Sequence, residues 1–186
     1  MIGSSSSLGR NDADVEELRL HEFLFGANRI GLGPLAEPLH EIQDGRCFYC
    51  DRPRMGDWEI DHFLPWSRWP DNRLDNLVLA HKRCNNDKRA ALAGVRYLGR
   101  WWRRFDPSSS VSADLDRVAA GVSWPRHRSA TQGAARALYL RQPDGTSLWV
   151  ARPGRVEALD HDRVVAVMRS GYGLAAEPPG SYGPER

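Results

Sequence analysis

Lysine is nearly missing from this chain: of 26 basic residues only Lys82 and Lys88 are lysines, and the other 24 are arginines. Such a skew reads as the coding bias of a genome rich in G and C, so arginine number alone does not argue for a nucleic-acid partner. Cysteine is scarce as well. Three thiols in 186 residues, an odd number, argue against a disulfide framework and leave metal ligation or buried free thiols, which suits a reducing, cytoplasmic setting. Nowhere do eighteen apolar residues run together, and the opening MIGSSSSLGR has neither early basic residues nor an apolar stretch, so neither a membrane span nor a secretory signal is expected. Charge of one sign is also lacking, with 24 acidic residues against the 26 basic ones and a formal net charge of +2. Only the distribution of charge can speak for a polyanionic partner. What remains, 41% hydrophobic and 27% charged, is the composition of one ordinary globular domain.

The pattern along the chain divides it into five stretches. Residues 1–11 are Ser-rich and offer little apolar surface to offset ordering entropy, so a disordered leader is expected. Residues 12–46 carry two helical patterns, one from Asp12 to Asn28 and a shorter one from Pro34 to Asp44 that Gly45 ends. Residues 47–105 hold two runs of strand character, WEIDHF and LVLA, joined by a long loop rich in Pro, Trp, Asp and Asn. One or two helices follow from Asn85, with Leu92, Val95, Leu98, Trp101, Trp102 and Phe105 at intervals of three or four. In residues 106–170, Ser112 suits a helix cap, a further helix carries Ala134, Leu138 and Leu140, LWVA reads as a strand, and Asp160 to Met168 suits a last short helix. Gly and Pro dominate residues 171–186, where a loose tail is expected.

The cysteines are not scattered. Cys47-Phe48-Tyr49-Cys50 and His81-Lys82-Arg83-Cys84 share a two-residue gap and supply three sulfurs and one imidazole, the closed tetrahedral count for Zn²⁺. A two-residue gap lets both side chains bend back to one ion at about 2.0–2.3 Å. Thirty residues lie between the pairs, more than usual, so the two-strand segment is an insert between two knuckles. With four protein ligands the ion has no open position and is structural, and any chemistry belongs elsewhere. The rival reading is three buried thiols with a surface histidine.

Between the knuckles stand Asp61-His62, Asn76 fourteen residues on, and Asn85 nine residues further, directly after Cys84. The run DHFLPWSRWPDNRLDNLVLAHKRCNNDK, residues 61–88, resembles the HNH (His-Asn-His) endonucleases of the zinc-knuckle type. The resemblance covers residues 47 to about 90 and has two departures: Asn85 stands in place of the last histidine, and His81 where a cysteine is common. It implies an α+β fold, a ββα-metal finger with a zinc knuckle embedded in a mainly helical small domain. It also implies that Asp61 and Asn85 together hold a catalytic divalent ion, Mg²⁺ or a similar one, and that Asn76 holds the long loop to the second strand so as to aim His62.

Residue chemistry supports the same activity. Phosphodiester hydrolysis needs a water nucleophile, a base for its proton, and positive charge where negative charge grows. Two hard oxygen ligands such as Asp61 and Asn85 leave most of an octahedral Mg²⁺ shell open. An unperturbed imidazole titrates near pH 6.5, so His62 suits the general base. Lys88, three residues after Asn85 on the same helical face, is a candidate to meet a phosphate. One tension follows from strand geometry: neighbours on a regular strand face opposite ways, so a bend is expected at Asp61-His62 if both serve one site.

Eight basic residues fall between His81 and Arg104 (Lys82, Arg83, Lys88, Arg89, Arg96, Arg100, Arg103 and Arg104) against one acid, Asp87, a local +7 that leaves −5 for the rest of the chain. That concentration is the expected footprint for DNA, or structured RNA, bound by a monomer or a homodimer. A solvated helix face is the alternative. The Trp101-Trp102 pair suits core packing better than base stacking, because Leu98 and Phe105 share its spacing. Three functions are weighed: a metal-dependent endonuclease, a zinc-stabilised nucleic-acid-binding module without cleavage, and a zinc-dependent base deaminase. The last lacks the His-x-Glu pair and the open zinc position it needs.

Overall fold

Strand character in WEIDH and LVLAH becomes an antiparallel hairpin, β1 (Trp58–His62) and β2 (Leu77–His81), paired from Trp58↔His81 to His62↔Leu77. The computed structural model describes residues 31–53, 56–151 and 155–169. The elements below lie in the unit Pro34–Arg186. The leader, the Asp12 to Asn28 helix and the tail expected from sequence fall outside the described residues.

Helix α1 (Ala36–Ile42) packs on β2, and its Leu39 is fully buried. Every residue of β2 is buried, with α1 and the helix that follows the strand both packed against it. Helix α2 (Lys82–Lys88) leaves β2 without a break, with His81 as its extended N-cap residue. The sequence placed helix from Asn85 to Ala93. Instead α2 starts inside the second knuckle and stops at Arg89, whose φ of +50° ends it. The following residues run as loop, and Ala93 bridges to Trp149 in parallel. Helix α3 (Val95–Trp102) then begins. Gly94 before it has little room for a side chain: a Cβ there would lie 3.0 Å from the Glu157 carboxylate, which caps α3 by accepting from the Val95 N–H at 2.6 Å.

The strands and helices share one core. Trp101 stacks on Phe63 with centroids 4.4 Å apart, and in the same core Tyr49 packs edge to face against both Tyr97 and Trp149. Both Trp101 and Trp102 are buried, in keeping with the core role their spacing suggested. Helix α4 (Ser110–Gly121) is capped by Ser109, whose hydroxyl accepts from the Ser112 N–H, so the cap lies three residues earlier than the sequence suggested. Helix α5 (Arg128–Leu140), a small hairpin of β3 (Ser147–Trp149) and β4 (Val156–Ala158), and helix α6 (His161–Arg169) complete the unit. Strand β4 escaped the sequence reading because three residues, VEA, carry no period.

A buried charge cluster ties the later helices to the turn before β2. Asp75, fully buried, accepts from Arg126 at 2.6 and 2.9 Å and from the His127 N–H at 2.8 Å. Arg104, also buried, donates to the Leu77 carbonyl at 2.5 Å, and burial pulls its guanidinium down to about 10 despite the Asp75 charge. Asp75→Ala takes the nearby carboxylate from the buried Arg104 and leaves Arg126 only Asp116, at 2.7 Å, so a loss of about 3–5 kcal/mol is expected in urea unfolding. An unchanged midpoint and slope would show that Arg126 is held by Asp116 alone.

Candidate metal centre and active site

The four soft donors predicted from spacing converge. One ligand atom each from Cys47, Cys50, His81 and Cys84 lies within 4.8 Å of all the others. Ligands about 2.3 Å from a tetrahedral ion stand about 3.8 Å apart, so the donor set fits a structural zinc. The first knuckle is a tight turn: the Asp51 N–H bonds the Cys47 carbonyl at 3.0 Å, and Asp51 has a φ of +59°. The second is the junction of β2 and α2. His81 turns Nδ1 to Cys50 Sγ at 3.2 Å, and its Nε2 meets the Pro53 carbonyl at 3.1 Å, which fixes the ring with Nδ1 as the metal-facing nitrogen. Hydrogen bonds with Cys47 and Cys84 pull Cys50 far down, and those with Cys47 and Cys50, then burial, push Cys84 far up.

The hairpin presents two different faces. Register and alternation put Glu59 and Asp61 on the side that α2 covers and His62 on the other. The expected bend at Asp61-His62 is not there: the ladder continues through His62↔Leu77, and the Phe63 N–H still bonds the Asn76 carbonyl at 2.8 Å. The chain bends only after His62, at Phe63 and Leu64.

On the α2 side, Asp61 is buried and its Oδ2 accepts from the Tyr49 hydroxyl at 2.5 Å and the Lys88 ammonium at 3.0 Å. Burial, then the Asp61 charge, pushes the Tyr49 phenol well above its usual range, so it stays a proton donor. Lys88 does not reach solvent. It is 1% exposed, and its ammonium also donates to the His62 carbonyl at 2.9 Å, so it braces the strand from within. Burial draws its pKa down and the Asp61 carboxylate opposes that shift. Asn85 is hydrogen-bonded to Glu59 rather than to Asp61, with Nδ2 donating to Oε2 at 2.7 Å. Glu59 was not picked out from sequence, although the strand period of two puts it on the face of Asp61.

On the other side, the His62 ring is partly exposed, its Nε2 lies 2.9 Å from Asn72 Oδ1, and the edge of Trp66 packs at 5.0 Å. Asn76 is fully buried. Its Oδ1 accepts from the Leu64 N–H at 2.8 Å, and its Nδ2 donates to the carbonyls of Leu64 at 3.1 Å and Asp71 at 3.2 Å. These bonds hold the loop after His62 to the turn before β2.

The family model for HNH endonuclease matches residues 47–93. That segment is an HNH endonuclease domain. No curated protein matches the chain significantly. The HNH domain takes in both knuckles, the hairpin, α2 and the loop to Ala93, in the strand–strand–helix order of the ββα-metal finger, so the mixed α+β class expected from sequence holds. Trp124, Arg126 and His127, which grip the loop ahead of β2, lie outside it.

The basic run that begins in the HNH domain divides by direction. Lys82, Arg83, Arg89, Arg96 and Arg103 are exposed, though Lys82 stands 4.0 Å from Glu59. Lys88 and Arg104 are buried. Arg100 braces the first knuckle, donating to the Phe48 carbonyl at 2.7 Å and to Asp51 at 3.1 Å. The positive surface is therefore smaller than the formal +7. Among the described residues no helix is long and apolar enough to cross a membrane.

Proposed function

We propose that this protein is a metal-dependent endonuclease that hydrolyses phosphodiester bonds of nucleic acid, with DNA as the first substrate to test. The observation that carries this reading is the HNH match over the segment holding Asp61, His62 and Asn85, within which the His62 imidazole is partly exposed and hydrogen-bonded through Nε2. Asp61 and Asn85 are the residues that would hold the catalytic divalent ion. Their carboxylate and amide oxygens suit a hard cation, and Glu59 adds a third oxygen donor on their face. When bound, such an ion supplies positive charge to the scissile phosphate and lowers the cost of forming hydroxide. His62 takes the proton from the attacking water through its other ring nitrogen. Asn76 keeps the loop after His62 fixed. Lys82, Arg83, Arg89 and Arg96 offer charge to backbone phosphates, which makes binding fall with salt. Zinc on Cys47, Cys50, His81 and Cys84 holds the finger.

Two observations favour a second reading, a nucleic-acid-binding module without cleavage: the Lys88 ammonium already sits on Asp61 Oδ2, and the straight ladder leaves His62 on the hairpin face away from Asp61. Incubation of supercoiled plasmid with the zinc-loaded chain separates the two. Nicking that requires added Mg²⁺ or Mn²⁺ is the expected result, since one finger supplies one catalytic site and a lone copy cuts one strand. Salt-sensitive binding with intact plasmid under every divalent ion would support the binding module instead.

A further inference from the structure

Asn72 and the segment Trp124–His127 carry no role in the reading above, yet they converge on its proposed base. The Asn72 side chain meets His62 Nε2 at 2.9 Å. Its main chain is gripped from outside the HNH domain. Trp124 Nε1 donates to the Asn72 carbonyl at 2.8 Å, and the Leu74 N–H bonds the Pro125 carbonyl at 3.1 Å. Three residues after Asn72, Asp75 is clamped by Arg126 and the His127 N–H. From within, Asp71 accepts from Trp69 Nε1 at 3.0 Å and from the Arg73 N–H at 3.1 Å. The loop before β2 is thus tied at almost every residue from Asp71 to Asn76.

We infer that Asn72 is a positioning residue for His62, and that residues 124–127 are the clasp that holds Asn72 in place. The inference rests on the endonuclease reading for its kinetic consequence but not for its geometry. A carboxamide oxygen only accepts, so a neutral imidazole facing it carries its proton on Nε2. Nδ1 is then the nitrogen with the free electron pair, the one that takes the proton of water. The Trp66 edge against the ring resists a flip. Charged neighbours of the pair are Asp61, adjacent in sequence, Lys88, which touches the His62 carbonyl rather than its ring, and Asp71 and Arg73, which flank Asn72 and lie 3.7 Å from each other. None of them is hydrogen-bonded to a ring nitrogen of His62. The connection between α4 and α5 thereby gains a purpose in catalysis: it fixes which ring nitrogen of the imidazole meets water.

The test reads the ring nitrogens directly. Long-range ¹H–¹⁵N correlation spectra of the full zinc-loaded chain with labelled histidine, recorded at pH 8.5, distinguish a protonated from an unprotonated nitrogen. The wild type is expected to show His62 with a protonated Nε2 and a bare Nδ1. Asn72→Asp, which keeps an acceptor oxygen, should preserve that pattern, whereas Asn72→Ala should shift it to a mixture of tautomers. The His81 signals report that the finger stays folded in each variant. Cleavage by Asn72→Ala should show kcat down 10–100-fold with KM within about twofold, and Trp124→Phe a smaller fall of the same kind. A wild-type His62 protonated on Nδ1, or unchanged nitrogen signals and kcat in Asn72→Ala, would overturn the inference. If the wild type cleaves nothing, the endonuclease reading fails while the ring nitrogens still decide whether Asn72 sets the tautomer.

Discussion

His62→Ala is expected to lower plasmid cleavage by about 10²–10⁴-fold, the usual contribution of a positioned general base, while folding and nucleic-acid binding persist. The second half of that statement follows from where the side chain sits. Its ring is partly exposed and touches only Asn72 and the edge of Trp66 among the contacts above. The backbone at His62 is held independently, by pairing with Leu77 and by the Lys88 ammonium on its carbonyl. Truncation to alanine thus removes one hydrogen bond and no core volume, and the hairpin keeps its register. Near-UV circular dichroism and fluorescence anisotropy on a labelled duplex check the fold and the binding, and single-turnover nicking checks the rate. Partial rescue by free imidazole would tie the loss to proton transfer. Wild-type rates in His62→Ala would remove the base from the mechanism, whatever the metal dependence.

The contrast between Asp61 and His62 shows where sequence reading reaches its limit. The zinc set could be read because each pair lies within one turn, and chain geometry alone brings Cys47 to Cys50 and His81 to Cys84. The hairpin could be read because alternation is local. The partners of Asp61 could not: Tyr49 comes from the first knuckle and Lys88 from the far end of α2, and the lysine turns inward because a buried carboxylate and a carbonyl both face it. Sequence supplies the charge of a side chain without its direction: Lys88 and Arg104 add to the formal charge but are buried, and the partly exposed Arg100 turns its guanidinium to the first knuckle. Asn72 had no signal beyond membership in a loop rich in Pro, Asp and Asn. Its meaning comes from Trp124, fifty-two residues later, and no period or motif links such distant positions.

Loss of the soft-donor metal should be the most damaging change to the fold. Cys47 and Cys84 are buried in the same core as Phe48, Phe63 and Trp101, so the ion would sit against the centre of the domain. Structural zinc binding is worth on the order of 10 kcal/mol near neutral pH, comparable to the ~5–15 kcal/mol that keeps a whole domain folded. Even half of that value lowers the melting temperature by more than about 10 °C in a chain of this size. Cys50→Ala is therefore expected to lose bound zinc by elemental analysis and to melt at least that much earlier. Proton competition gives the same site a pH signature. The contacts that push Cys84 and Cys47 upward keep those sulfurs protonated at neutral pH when no ion is bound, so binding must expel protons. Zinc affinity should then fall steadily on acidification, measured by competition with a chromophoric chelator. A metal-free Cys50→Ala variant that melts with the wild type would mean that the three thiols and the imidazole are ordinary packing groups.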